Sequence, residues 1–174
     1  MNVLLALLLL ITPPFEWSKT RKLQWSDFQR EYRGESVQGE TCSGLEMAED
    51  RDGHGGVVFT VNAVFHPELS FVSPDCSRSP YALEHEQLHF DITELYARQL
   101  RMALSVIQHT HKQSEADVAG DFFDIVKQAW AQEEDLYDKE CNPSMNRAEQ
   151  ARWKIKIARQ LIKLNNYAKQ QSSP

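Results

Sequence analysis

A chain of 174 residues, 41% hydrophobic and 25% charged, has the composition of one globular domain and the length to bury a core without staples. Its net charge of −6 and pI near 5.5 give no electrostatic reason to expect nucleic acid as a partner. The charge is uneven, however: residues 147–174 hold seven Lys or Arg and one acid, either a solvated basic face or a surface for an acidic partner or anionic lipid.

In chain order, the first feature is an unbroken apolar run over residues 3–11, followed by Thr12-Pro13-Pro14. It is too short for a bilayer span, which takes about 20 residues. It suits the apolar core of a secretory signal, although a basic start and a small-residue cleavage site are both missing. Residues 1–14 are therefore expected to be a signal peptide and 15–174 a single domain, placing the protein outside the cell or in a periplasm, with no stable membrane span. Residues 23–28 predict a short strand or turn anchored by Trp25 and Phe28. Residues 34–56, rich in Gly, Glu and Ser, predict loops and short strands. Val57–Phe65 is the clearest strand, β-branched and aromatic between Gly56 and Pro67, with Phe59, Val61, Ala63 and Phe65 making one face wholly apolar. It reads as a core strand, and its edge offers the alternative of pairing with an extended peptide.

Residues 73–80 form a turn-rich connector. Ser79 as N-cap and Pro80 at the first helical position predict a helix over 80–109, with Leu88, Ile92, Leu95, Tyr96, Ala103, Val106 and Ile107 at helical spacing. A second helix is expected near Ser114, where Ser114 and Asp117 resemble a capping box, with Val118, Phe122, Ile125, Val126, Ala129 and Leu136 as its apolar positions. Cys141-Asn142-Pro143 breaks it, and a third helix near Asn146 carries Trp153, Ile157, Leu161 and Leu164. Strands first and three helices afterwards define an α+β domain. The three cysteines allow one bridge, with Cys42 and Cys76 a possible pair, or three unpaired thiols.

His85-Glu86-Gln87-Leu88-His89 is an HExxH stretch on the first predicted helix. Residues four apart share a helical face, so both imidazoles can reach one divalent ion. Zinc favours such nitrogen donors and, in catalytic sites, keeps one position for water. Glu86 is placed to act as general base toward that water. Against this stands a pair of core histidines beside an exposed glutamate. A third ligand is needed. His109 and His111 would lie about 30 Å along a continuous helix from His89 and are read as a solvated helix end, and His66 as a turn residue. The acidic stretch from Glu133 through Glu134 and Asp135 to Asp138 is the stronger source, because an antiparallel return brings it back toward the first helix. Glu133 is expected on the apolar stripe, Glu134 at its edge and Asp138 beyond it. Tyr137 is a candidate oxyanion donor by proximity alone.

Arg21-Lys22-Leu23-Gln24-Trp25-Ser26-Asp27-Phe28, His85 to Ile92 with Ala97-Arg98 following, Tyr137-Asp138-Lys139-Glu140 and Gln150-Ala151-Arg152-Trp153 occur in one order along most of the chain. In these stretches the sequence resembles a family of secreted bacterial zincin-like domains of unassigned function, grouped with zinc-dependent proteases. The resemblance implies a zincin-like fold and favours Asp138 as third metal ligand, similar to the two-His, one-Asp arrangement of aspzincins. Relatives carry a Thr and a His shortly after the Tyr-Asp pair, where this chain has Cys141 and Pro143, and if that His serves catalysis the activity is weakened or lost. Three readings follow: an exported zinc metallopeptidase acting on a peptide or protein substrate, an impaired zincin-like periplasmic binding or assembly module, and a zinc hydrolase with a non-peptide substrate.

Overall fold

The computed structural model describes residues 12–36, 39–107, 114–141 and 146–169. Strands β1 (Phe15–Glu16), β3 (Ser43–Arg51) and β4 (Val57–Phe65) form an antiparallel sheet in the order β1-β4-β3. Strands β2 (Gly39–Glu40) and β5 (Phe71–Val72) make a second, two-stranded pair. Helices α1 (Pro80–Leu104), α2 (Ser114–Cys141) and α3 (Arg147–Lys163) follow, so the α+β class holds. The apolar run at 3–11 lies outside the described residues. Thr12 is tied to Gln29 by two hydrogen bonds, of 3.0 and 2.8 Å, and ordered pairing begins at Phe15. Among the described residues no helix is long and apolar enough to cross a membrane.

β4 is the central strand. β3 pairs along its whole length, while β1 and the Trp17 N–H to Ala63 carbonyl bond (2.9 Å) occupy the other edge near its end. Arg101 Nε donates to the Val61 carbonyl at 2.9 Å on that same side. That edge is thus covered from Val61 to Phe65, and the buried apolar face of β4 makes it the core strand expected. The nine-residue β3 is longer than the short strands expected there: Ser43–Arg51 has little strand propensity, and its pairing with β4 drives it. The hairpin turn is closed by Asp52 Oδ1, which accepts from the N–H groups of His54 and Gly56 at 2.8 Å each, and Gly55 takes a positive φ of 81°. Residues 25–27 are a single 3₁₀ turn, held by the Asp27 carboxylate against the Gln24 N–H (2.8 Å).

Ser79 caps α1 as expected, accepting from the Ala82 N–H at 3.1 Å. α1 ends at Leu104 rather than 109, because the Ser105 hydroxyl donates back to the Met102 carbonyl at 2.7 Å and competes with the helical ladder. His109 and His111 lie outside the described residues, as do Pro143 and the Ser114 side chain on which the capping box rests. Val106, expected in the core, is exposed beyond the helix end.

α1 is buried on two sides. Phe90, Ala97, Leu100 and Leu104 pack on the apolar face of β4 (Val57, Phe59, Val61, Ala63 and Phe65). Leu88, Ile92, Leu95 and Tyr96 pack on Tyr137, Trp153 and Ile157 of α2 and α3. Burial of each large side chain contributes roughly 1.5–3 kcal/mol, so α1 is anchored along most of its length. The phase of α2 follows the expectation at Phe122, Val126 and Ala129 and departs from it at Val118, Ile125 and Leu136, which are exposed; Ala119, Phe123, Trp130 and Tyr137 also face inward. Ala119 meets the end of α1 and Tyr137 its start, so the two helices run antiparallel as expected.

Candidate metal centre

The capped start of α1 sets the phase that turns His85 and His89 toward the last turns of α2. Their rings meet edge to face with centroids 4.9 Å apart, and the two Nε2 atoms are separated by 3.3 Å. Asp138 Oδ1 completes the group, 3.3 Å from His85 Nε2 and 3.1 Å from His89 Nε2. Three donors on a tetrahedron with bonds of about 2.0–2.1 Å stand roughly 3.3–3.4 Å from one another, so these separations suit three ligands sharing one small ion. Among the described residues this is the one cluster of His, Cys, Asp and Glu donors with metal-ligand proximity. The His85 and His89 side chains are 5% and 13% exposed and Asp138 is 53% exposed, so the group is walled on the histidine side and open to solvent on the other.

The remaining ring nitrogens are both engaged. With Nε2 directed to an ion, His85 Nδ1 carries the proton and donates to Tyr137 Oη at 2.8 Å, and that hydroxyl donates to the His85 carbonyl at 3.3 Å. The Tyr137 ring stacks on His85 with centroids 4.7 Å apart. His89 Nδ1 donates to Glu134 Oε2. The other Glu134 oxygen accepts from Trp130 Nε1 at 2.9 Å. Trp130 Nε1 also lies 3.2 Å from Thr93 Oγ1, and Thr93 donates to the His89 carbonyl at 3.1 Å. Such partners fix the tautomer and orientation of ligating imidazoles and raise their basicity.

Electrostatics follow from the carboxylates. Burial opposes protonation of His89, but the charge of Glu134 and the hydrogen bonds to Asp138 and Glu134 outweigh it and hold the imidazole well above its usual pKa. Burial pushes Asp138 up, yet hydrogen bonds and charge from His85 and His89 hold it well below the usual carboxylate range. Burial above all drives the Tyr137 phenol far up, so it is a neutral donor at any physiological pH.

Glu86 is buried, not the exposed residue of the alternative reading. Its Oε2 accepts from Thr41 Oγ1 at 2.7 Å. β2 lies over it so closely that a Cβ added at Gly39 would stand 3.4 Å from Glu86 Oε1. Its charge is felt at His89.

Of the three acids weighed as third ligand, Asp138 joins the cluster, Glu134 stands behind His89, and Glu133 leaves the site to pair with Lys156 of α3 at 2.8 Å. Glu133 does fall on the inward stripe as expected, four residues before Tyr137 and with its side chain only 17% exposed, but its carboxylate turns to α3 rather than to the cluster. Tyr137 is misplaced as an oxyanion donor: its hydroxyl is fully buried behind His85. His66 is a turn residue as expected, its carbonyl accepting from the Leu69 and Ser70 N–H groups. The cysteines are all free, so the Cys42–Cys76 pair is not formed. Sequence reasoning missed Trp130 and Thr41. The four-residue spacing from Trp130 to Glu134 was a usable signal for the first, whereas nothing in the sequence marks Thr41. No protein-family model, curated protein or solved structure matches this chain.

Proposed function

We propose that this protein is an exported zinc-dependent metallopeptidase, zincin-like in its site, with His85, His89 and Asp138 as zinc ligands and Glu86 as general base. The observation that carries this reading is the mutual 3.1–3.3 Å spacing of the two Nε2 atoms and Asp138 Oδ1. The residue types fit the ion: two imidazoles, His89 giving up its extra proton on binding, and a carboxylate suit zinc, each imidazole has an outer partner, and one side stays open. When bound, zinc supplies a Lewis acid that polarises a carbonyl and makes water a nucleophile near neutral pH. Glu86 accepts the proton of the attacking water and returns it to the leaving amine. Thr41 donates to one Glu86 oxygen and leaves the other, beside Gly39, to carry that proton. The resemblance to secreted zincin-like domains and the apolar run at 3–11 support export and a peptide substrate.

Elemental analysis of the purified chain tests the site. About one zinc per chain is expected, lost in His85→Ala and in Asp138→Ala. Peptide-library cleavage abolished by chelation and by Glu86→Gln then tests the activity.

A second reading is an impaired binding or assembly module. His89 stands between the Glu134 and Asp138 carboxylates, so an imidazolium there is balanced without an ion. This reading is supported if the protein shows no metal after reconstitution and Glu86→Gln leaves partner binding unchanged.

A further inference from the structure

A cavity of about 420 Å³ opens on the far half of α1, where Glu94, Arg98 and Arg101 meet the chain after β1, the β4 residues Asn62 and Ala63, and the segment after α3. Arg98 lies nine residues beyond His89, about 14 Å along the helix axis, so this cavity is separate from the candidate metal centre.

Its charge is unbalanced. Lys19, Arg98, Arg101 and Lys169 line it against two carboxylates, Glu16 and Glu94. Glu94 is buried and shared between two guanidinium groups: Arg98 Nε at 2.8 Å, and Arg101 Nη1 and Nη2 at 3.2 and 3.3 Å. Their other bonds go to neutral carbonyls, Leu161 for Arg98 and Val61 and Tyr167 for Arg101. One positive charge is therefore left over in a largely buried position. Glu16 is matched by Lys169 at 2.6 Å. Lys19 makes no ion pair among the described residues and adds a second positive charge at the rim. Arg98 Nη2 likewise has no hydrogen-bond partner among them. A buried charge without a counter-charge is costly, and a ligand-sized cavity beside it gives an anion room to supply one.

Trp17 supplies a fixed wall. Its Nε1 donates to Asp91 Oδ1 at 2.7 Å, and the Arg98 guanidinium carbon lies 5.4 Å from its ring centroid. A planar wall, a guanidinium fork and a free ammonium recognise an oxyanion on a small organic body.

We propose that this cavity binds a small oxyanion, carboxylate or phosphate, through Arg98 and Lys19 with Trp17 against its body. Titration calorimetry on the full-length protein, stripped of metal and held at constant ionic strength, tests it with inorganic phosphate and with succinate as separate probes. Saturable binding of either probe is expected, and the stronger one tells which oxyanion the site prefers. Lys19→Glu reverses an exposed charge and leaves the buried network intact; it is expected to weaken binding about tenfold or more. His85→Ala is expected to leave binding unchanged, which separates this site from the metal centre. Absence of saturable binding for both probes overturns the proposal. So does equal affinity in Lys19→Glu, or loss in His85→Ala.

Discussion

The Glu134 carboxylate is hydrogen-bonded to Nδ1 of His89, the ring nitrogen that does not face Asp138. Glu134 is itself held by Trp130 and Tyr137 holds His85 Nδ1, so the α2 side chains both complete the candidate ligand set and aim both of its imidazoles. Replacing Glu134 by Gln keeps the shape and removes the charge that makes His89 a better donor. Zinc affinity is expected to fall by about 10–100-fold with the fold intact, read by competition against a chromogenic chelator. Unchanged affinity would remove Glu134 from the metal centre.

Glu86 has a different place, under β2 and bonded to Thr41. Glu86→Gln is expected to leave zinc content at the wild-type level and to reduce peptide cleavage by about 10²–10⁴-fold. Thr41→Val, which removes the hydroxyl but keeps the volume, is expected to cause a smaller loss and a shifted pH profile. Cleavage that survives Glu86→Gln would dismiss the general-base assignment.

Tyr137→Phe takes away the buried hydroxyl that His85 Nδ1 and the His85 carbonyl share. Leaving the buried Nδ1–H unsatisfied, while the carbonyl keeps its helical bond, costs about 1–3 kcal/mol, to be seen as a lower denaturation midpoint in urea. A midpoint within error of wild type would show that another group satisfies His85.

Glu35 gives a prediction in pH. The backbone N–H of Arg33 and the Arg30 side chain lower its pKa to about 2. A depressed carboxylate contributes stability above its unfolded pKa, about 4.3, and loses it as pH falls through the folded value near 2. Arg30 also stacks on Phe71 of β5, which pairs with the strand that covers Glu86. An NMR titration should place the Glu35 midpoint near 2, and Arg30→Ala should raise it. A midpoint already at the ordinary value in the wild type would show the pair to be broken in solution.

Much of this arrangement could be read locally. Ser79-Pro80 marked the start of α1, and the four-residue spacing of His85 and His89 put both imidazoles on one face. The alternation in Val57–Phe65 gave the central strand and its buried face. These signals are local because caps, helical repeat and strand alternation all act within a few residues. β3 was barely visible because its partner rather than its own residues makes it a strand.

Residues 85–89 by themselves determined a paired-imidazole face with a carboxylate beside it, and the acidic turn at 133–138 offered the complement. The residue pattern left three acids open and the resemblance favoured Asp138; what places Asp138 in the cluster is tertiary packing. Tyr137 is the residue that fills the space against His85 and Trp153, and burying it rotates α2 so that Asp138 points at both Nε2 atoms, Glu134 at Nδ1 and Glu133 toward Lys156. Adjacent helical residues differ by about 100° in direction, so the side chain that wins the core position sets the roles of all its neighbours, and that competition is settled between helices, not within one.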